Sequence, residues 1–122
     1  MKRHPTLIEL SRDHHHTLAM VVRILRDPQA NHSADIRQHG SDLLTHFTNE
    51  EQQFAPLWAK LPDSSLRQRF EHDHAALREL LNHPQYGNSQ WQQTLAESLR
   101  EHVRFEEREL FEAFAVYALE AV

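Results

Sequence analysis

Two pairs of residues in this chain share the pattern His-x-x-x-Glu: His46 with Glu50, and His102 with Glu106. Residues four apart on a helix lie one turn apart on the same face, so each pair can direct an imidazole nitrogen and a carboxylate oxygen at one point. Mixed nitrogen and oxygen donors of this kind suit iron, manganese or zinc better than calcium or magnesium. The spacing therefore indicates metal chemistry in the core of a helical protein.

Two further histidines, His14 and His74, interrupt apolar stripes in the same way. His14, for example, falls where Leu10 and Leu18 continue an apolar helical face. Burying so many polar groups costs several kcal/mol each unless they are paired or bound to metal, and one metal centre would satisfy them together. Four imidazoles and two carboxylates exceed one tetrahedral zinc site but fit two six-coordinate metals bridged by the carboxylates, with positions left open. The candidate metal ligands are His14, His46, Glu50, His74, His102 and Glu106.

Four long segments carry these residues, and stretches containing proline or glycine separate them. The segments span about 6–27, 33–61, 63–82 and 89–121, and their apolar positions recur every three or four residues. Pro56 should kink the last turns of the second helix. Residues suited to cap the later helices are Ser33, Asp63, and Asn88 or Ser89. Because short connections make long helices antiparallel neighbours, the predicted fold class is all-α, an up-down antiparallel four-helix bundle.

Composition limits the class of protein further. A chain of 122 residues is expected to form one domain over 1–122. It has no cysteine, which excludes a disulfide scaffold, an iron–sulfur cluster and a thiol nucleophile. A net charge of −5 argues against a nucleic-acid partner. No apolar run could cross a membrane, and Met1–Pro5 lacks the apolar stretch of a secretory signal, so no membrane partner and a cytoplasmic location are expected.

Together these motifs resemble those of the hemerythrin-like family, which is described by its HHE cation-binding domain. The resemblance covers nearly the whole chain. Its motifs are Asp13-His14 on helix one, His46-x-x-x-Glu50-Glu51 on helix two, Glu71-His72-Asp73-His74 on helix three, and His102-x-x-x-Glu106-Glu107-x-x-Leu110-Phe111 on helix four. The repeat of His-x-x-x-Glu-Glu makes the match more specific than either copy alone.

The resemblance implies a non-haem centre of two iron ions inside the bundle. One iron would take His14 and His46 and the other His74 and His102, while Glu50 and Glu106 would bridge them together with an oxo or hydroxo group. Proteins of the family bind dioxygen reversibly, store or sense iron, or handle nitric oxide and peroxide. The expected function is therefore binding or sensing of dioxygen, nitric oxide or iron, and the alternative is a di-iron oxidoreductase acting on dioxygen, peroxide or nitric oxide. The sequence does not indicate a protein partner.

The chain departs from the oxygen carriers of the family on helix three, where those proteins have two histidines four apart. The positions four residues from His74 are Phe70 and Arg78, and neither ligates a metal readily. Glu71 could supply the missing donor, and His39 is a less favourable substitute. An open position of this kind favours redox or sensing chemistry over reversible carriage.

The remaining histidines are weighed against the candidates. His15 is the rival to His14 on the first helix because its face is also partly apolar. His16 is expected on the surface. His72 lies two residues from His74 and therefore points about 200° away from it around the helix, so it is expected on the surface too.

Three further interpretations stay open at this point. Glu51 and Glu107, which follow the two His-x-x-x-Glu pairs, are suited to accept the free ring N–H of a ligating histidine. A metal-free bundle with hydrogen-bonded histidines is the simplest alternative to a metal centre. A ferritin-like carboxylate site is disfavoured, because only Glu71 and His74 have the Glu-x-x-His spacing that such sites use.

Overall fold

The computed structural model describes residues 4–119, and within them the chain is helical throughout, with no strand. The helices are α1 (Pro5–Arg26), α2 (Ser33–Phe54), α3 (Ser65–Asn82), α4 (Ser89–Phe105) and α5 (Phe111–Tyr117). A π-helical turn, Glu106–Leu110, joins α4 to α5, so the fourth helix of the bundle runs unbroken from 89 to 117. The predicted all-α bundle of four helices is confirmed.

The two ends of the predicted single domain, residues 1–3 and 120–122, lie outside the described residues. None of the helices in the described range is both long enough and apolar enough to span a membrane.

Local side chains decide where the helices begin. Asn88 caps α4 as predicted, because its side chain accepts a hydrogen bond from a backbone N–H of the first turn at 3.1 Å. At the start of α3, Asp63 accepts a hydrogen bond from the backbone N–H of Ser65 at 2.8 Å. The prediction that Ser33 caps α2 is wrong. Ser33 is the first helical residue, and Asn31 accepts from its N–H at 2.9 Å, because an asparagine side chain reaches the N–H two residues on.

The second helix is shorter than the predicted range of 33–61. It ends at Phe54, and only a 3-10 turn, Trp58–Lys60, follows it. Proline has no N–H to donate, and its ring clashes with the carbonyl four residues earlier. The helix therefore ends before Pro56 instead of bending at it. Leu57 and Leu61 pack against the core from the connection to α3.

The candidate ligands divide the apolar core into two clusters. The first contains Met20, Ile24, Ile36, Phe47, Leu77 and Leu95 among others. The second contains Leu7, Leu10, Phe54, Phe70, Phe105, Leu110, Phe111 and Phe114. On α3, for example, His74 lies between Phe70 of one cluster and Leu77 of the other. The polar centre is thus enclosed along the bundle axis by apolar packing on both sides, which keeps water from it.

Truncation in the second cluster should be costly even without metal. Phe114 is fully buried, and its ring centroid lies 4.7 Å from that of Phe54 and 5.2 Å from that of Trp58. We expect Phe114→Ala to lower the free energy of unfolding by about 3–5 kcal/mol, because it removes apolar burial and leaves a cavity. Urea unfolding of the metal-free protein measures this. Tyr117→Ala is the control, since Tyr117 is 55% exposed. Equal losses for both variants would contradict the expectation.

Candidate metal centre

All six candidate ligands meet at the middle of the bundle. Their positions are His14 on α1, His46 and Glu50 on α2, His74 on α3, His102 on α4, and Glu106 at the start of the π-helical turn. Both glutamates are 0% exposed. His46 is the most accessible of the set, with 11% of its side chain exposed. Long packed helices hold each side chain, so the donor atoms are positioned before any ligand arrives.

The donor atoms form two groups that share both glutamates. Within each group, all the ligand atoms lie within 4.8 Å of one another. The groups are His14, His46, Glu50 and Glu106, and then Glu50, His74, His102 and Glu106. Each group offers two imidazole nitrogens and two carboxylate oxygens. The pairing of histidines is the same as the resemblance implied, with the glutamates placed between the two groups.

Most of the atoms that face this centre lack hydrogen bonds despite their burial. Within residues 4–119, no hydrogen-bond partner reaches Nε2 of His46, His74 or His102, either oxygen of Glu50, or Oε2 of Glu106. The Nε2 atom of His74 lies 3.2 Å from Glu50 Oε1, but the two are not aligned for a hydrogen bond. Buried polar atoms are almost always satisfied, so a cluster of unsatisfied ones supports a bound ligand at this point. Nitrogen and carboxylate donors converging on two points fit metal cations.

The other ring nitrogen of every candidate histidine faces a carboxylate from a neighbouring helix. The Nδ1 atoms of His74 and His102 lie 2.7 Å from Glu51 and 2.9 Å from Asp73. Those of His46 and His14 lie 3.2 Å from Asp13 and 3.3 Å from Glu107. A carboxylate at Nδ1 holds the proton there, which fixes the ring and leaves Nε2 free as a metal donor.

Of these four carboxylates, Glu51 and Glu107 are predicted from the sequence to contact a ligating histidine, whereas Asp13 and Asp73 are not. The sequence does contain a clue to all four. Each carboxylate directly precedes or follows one candidate ligand in the sequence and contacts a ligand histidine on another helix. Asp13 precedes His14 and contacts His46, for example, while Glu51 follows Glu50 and contacts His74. Antiparallel helices that converge on one point bring such neighbours against the next ring.

Two of these carboxylates themselves accept hydrogen bonds from arginines of α3. Arg78 donates to both oxygens of Glu51, one of them at 2.9 Å. Arg69 donates from Nε to both oxygens of Asp73, at 3.1 and 3.0 Å. Both carboxylates serve the group of His74 and His102.

The π-helical turn begins at Glu106 and lies directly against the centre. Both acids at its start contact one ring: Glu106 Oε1 lies 2.9 Å from His14 Nε2, and Glu107 Oε2 lies 3.3 Å from His14 Nδ1. Ser11 also donates to Glu107, at 2.7 Å. Single π-helical turns inside α-helices are frequent at functional sites. Here the turn places two consecutive glutamates in contact with His14 of α1.

The third helix lacks a second ligand, as its sequence indicated. Phe70 stands one turn before His74, and its ring centroid lies 4.0 Å from the His74 ring. Glu71 does not fill the gap: its side chain is 60% exposed and paired with Arg67 at 3.4 Å. His39 does not fill it either, since it pairs with Asp35 at 3.3 Å. An apolar ring therefore covers the centre where another donor would stand.

The remaining histidines near the centre point to the surface. His15, the rival to His14, is exposed, while His14 is 4% exposed and faces the centre. His16 and His72 are exposed as well. None of these three belongs to either donor group among the described residues.

Without metal, two of the buried histidines, His14 and His102, hold protons strongly. Burial lowers the pKa of His14, but hydrogen bonds to two glutamates outweigh burial and raise it to about 9. Burial likewise opposes protonation of His102, whereas Glu106 and Asp73 raise its pKa to about 10. Protons therefore compete with a metal for this site, and metal binding should release them.

The two buried glutamates are pushed apart in pKa. Burial and the neighbouring Glu106 raise the pKa of Glu50. Burial also disfavours the charge on Glu106, but the nearby His102 and His14 hold its pKa well below the usual range. In the metal-free protein, Glu106 thus carries the negative charge that balances the imidazolium rings.

We expect the metal-free protein to lose stability as pH rises above neutrality. Since His14 and His102 have folded pKa values of about 9 and 10 and unfolded values near 6.5, the folded state binds more protons across that window. The free energy of unfolding should therefore be highest near pH 6.5 and fall by several kcal/mol toward pH 10. Urea unfolding in chelator-containing buffers measures the slope.

His102→Asn should reduce this pH dependence to the part that His14 contributes, and His72→Asn, a change at an exposed histidine, should leave it intact. A stability that is constant over the same window in the parent protein would show that these rings are neutral in the folded state.

Comparison with known proteins identifies the family of the chain. A family model described as the hemerythrin HHE cation binding domain matches residues 6–114. That range contains α2 to α4, all of α1 except Pro5, and all six candidate ligands. Neither the curated proteins nor the solved structures gave a significant match. The chain belongs to the hemerythrin HHE cation-binding family.

Proposed function

We propose that this chain is a non-haem di-iron protein that binds or senses a small ligand, dioxygen or nitric oxide, or senses iron itself. The observation that carries the proposal is the pair of donor groups sharing Glu50 and Glu106. One group on its own would suggest a single cation. Two groups with common carboxylates suggest two cations close together, bridged by those carboxylates.

The donor chemistry favours iron or manganese. Each group provides four protein donors, half nitrogen and half oxygen, which leaves a six-coordinate ion with open positions. Iron bound there would supply a redox-active metal at which a small molecule can bind. Calcium and magnesium prefer oxygen donors alone, so they fit the histidine-rich groups poorly.

The chain's own residues would keep the site dry. The rings of Phe47 and Phe70 lie 4.6 and 4.0 Å from the His74 ring, and Phe111 stacks on His14 at 5.7 Å. All three phenylalanines are buried. Excluding water strengthens electrostatic interactions inside the pocket and leaves open positions for apolar diatomic molecules.

The carboxylates behind the histidines would fix which nitrogen binds. Glu51, Asp73, Asp13 and Glu107 each face an Nδ1 atom. Holding the proton at Nδ1 presents a neutral Nε2 lone pair to the centre, and the negative charge behind the ring makes it a stronger donor. Such an arrangement supports the higher positive charge of an oxidised ion.

Metal content and the visible spectrum test the proposal directly. Protein made in iron-rich medium should contain about two irons per chain and show a charge-transfer band that bleaches with dithionite and returns in air. The His72→Ala variant should behave identically, because His72 is exposed. Protein that carries no metal above trace, with unchanged helicity, would overturn the proposal.

The position of Phe70 supports the alternative function, a di-iron oxidoreductase. Because that ring stands where the oxygen carriers have a second histidine, the ion between His74 and His102 would keep an additional open position. Turnover separates the two functions. A stable oxygenated or nitrosylated form with one ligand bound per centre supports binding or sensing, whereas repeated consumption of peroxide, dioxygen or nitric oxide with a reductant supports an enzyme.

A further inference from the structure

We propose that the two metal positions exchange their ions at different rates. The ion between His14 and His46 exchanges through the groove between α1 and α2, whereas the ion between His74 and His102 is retained because Arg69 and Arg78 lock the carboxylates behind its histidines. This inference rests on the proposed occupancy by two ions. It adds a functional difference between the positions and a positioning role for two arginines of α3.

At the retained position, between His74 and His102, an arginine holds the carboxylate that contacts each histidine. Each such series of arginine, carboxylate and histidine contacts is called a brace below. Arg78 grips both oxygens of Glu51, which contacts His74 Nδ1 at 2.7 Å. Arg69 grips both oxygens of Asp73, whose Oδ2 lies 2.9 Å from His102 Nδ1. Charge-assisted contacts to two oxygens of one carboxylate fix its orientation as well as its position.

Release of an ion requires a histidine to swing away from it. For His74 or His102, that swing would break the ring–carboxylate contact or drag a carboxylate from its arginine. Both residues are also only 2% exposed, so solvent has little direct access to the rings to replace the lost donor. The barrier to release is therefore raised at this position by residues that do not touch the metal.

The exchanging position has a looser brace. His46 Nδ1 lies 3.2 Å from Asp13, whose side chain is 60% exposed. No arginine of residues 4–119 holds Asp13. The His46 ring has 11% of its side chain exposed, against 2% for His74 and 3% for His102. His46 can therefore turn outward with its carboxylate at lower cost than the other two rings.

A groove leads to this looser histidine. It lies between α1 and α2, has a volume of about 370 Å³, and reaches His46. Its wall carries further groups that attract cations, namely Asp13, His16, His39 and Asp42. A cation leaving His46 thus meets weak ligands along the way, which lowers the barrier to exchange in both directions.

The other position also opens to cavities, of about 470 Å³ beside His74 and about 290 Å³ beside His102, and the arginines and carboxylates that hold these rings line both of them. Glu51, Phe70 and Arg78 line the cavity beside His74. Arg69 and Asp73 line the cavity beside His102. Cavity volume therefore does not separate the two positions. The difference lies in the contacts behind the rings, because an ion can leave past His74 or His102 only after that ring has turned away from a carboxylate that an arginine holds.

Chelator-driven release of ferrous iron tests the inference. Protein loaded anaerobically with ferrous iron is mixed with a chromogenic ferrous chelator, and absorbance is followed with time. We expect two phases of equal size that differ at least about tenfold in rate. The His102→Ala variant should keep only the fast phase, and His46→Ala only the slow phase.

The arginines are tested by Arg69→Gln, Arg78→Gln and the double variant. We expect the double variant to speed the slow phase about tenfold while the fast phase changes by less than about twofold. Arg67→Gln is the matched control, because Arg67 lies on the same helix and its ion-pair partner within residues 4–119 is the exposed Glu71. A general loss of stability would instead speed both phases, and a thermal melt of each variant reports it separately.

The outcomes separate this inference from the proposed function. Release of about two irons in one phase would overturn the inference and leave the di-iron proposal standing. Failure to load a second iron would overturn both. Equal acceleration of both phases in the double variant, or acceleration by Arg67→Gln alone, would show that the two arginines only support the helix.

Discussion

Loading with ferrous iron is expected to raise the thermal midpoint of this chain by roughly 15 °C. A ligand that binds only the folded state stabilises it by about 4 kcal/mol when its concentration is a thousand times the dissociation constant. For a domain of 122 residues, about 1 kcal/mol corresponds to a shift of roughly 3–5 °C. Two bound ions would give at least this effect.

The physical reason lies in the cost of the metal-free centre. Both glutamates are fully buried, and several of the inward-facing atoms have no hydrogen-bond partner among residues 4–119. Buried polar groups without partners destabilise a fold, and metal binding removes that cost. The unfolded chain has no such cluster, so the binding free energy becomes folding free energy.

Differential scanning calorimetry of anaerobic samples, with and without ferrous iron, measures this shift. Magnesium at the same concentration is the control for ionic strength and nonspecific binding, since it prefers oxygen donors. The metal-free sample should keep its helical spectrum at low temperature, because two apolar clusters pack independently of the centre. Equal midpoints with and without iron would rule out the donor groups as a metal site of any strength.

The sequence alone was sufficient for the parts of the fold governed by periodicity. Four helices and the residues that interrupt their apolar faces follow from spacing, because a helix repeats every 3.6 residues. The choice of His14 over His15 was decided by the same rule, and the structure places His14 in the core and His15 on the surface. Single local features were harder, as the early end of α2 before Pro56 shows.

The contacts between helices could not be predicted from the spacing of residues in the sequence. Gln92 is 2% exposed and binds the connection between α1 and α2, accepting from the backbone N–H of His32 at 3.2 Å and donating to the carbonyl of Pro28 at 3.1 Å. Nothing near Gln92 in sequence suggests that contact. The bracing of Asp73 by Arg69 is different, since an i,i+4 pair is readable on one helix. Its relevance appears only when His102 of another helix is placed against Asp73.

Substitution of a single ligand should lower the iron content by an amount that depends on whether the ligand belongs to one donor group or to both. His46→Ala and His102→Ala each remove a donor from one group only, so each variant should lose about one of two irons. Glu106→Ala removes a donor from both groups, because Glu106 belongs to each. That variant should therefore bind iron more weakly at both positions and retain less iron than either histidine variant.

Iron analysis after gel filtration measures this, with circular dichroism to confirm folding. His72→Ala and His16→Ala are the controls, because both histidines are exposed and outside the donor groups. If His72→Ala emptied the site while His74→Ala left it full, the register of α3 would be wrong. If Glu106→Ala instead lost no more iron than His46→Ala, the glutamates would not be shared. The centre would then consist of two separate cation sites, and the common carboxylates, on which the di-iron proposal depends, would have no bridging role.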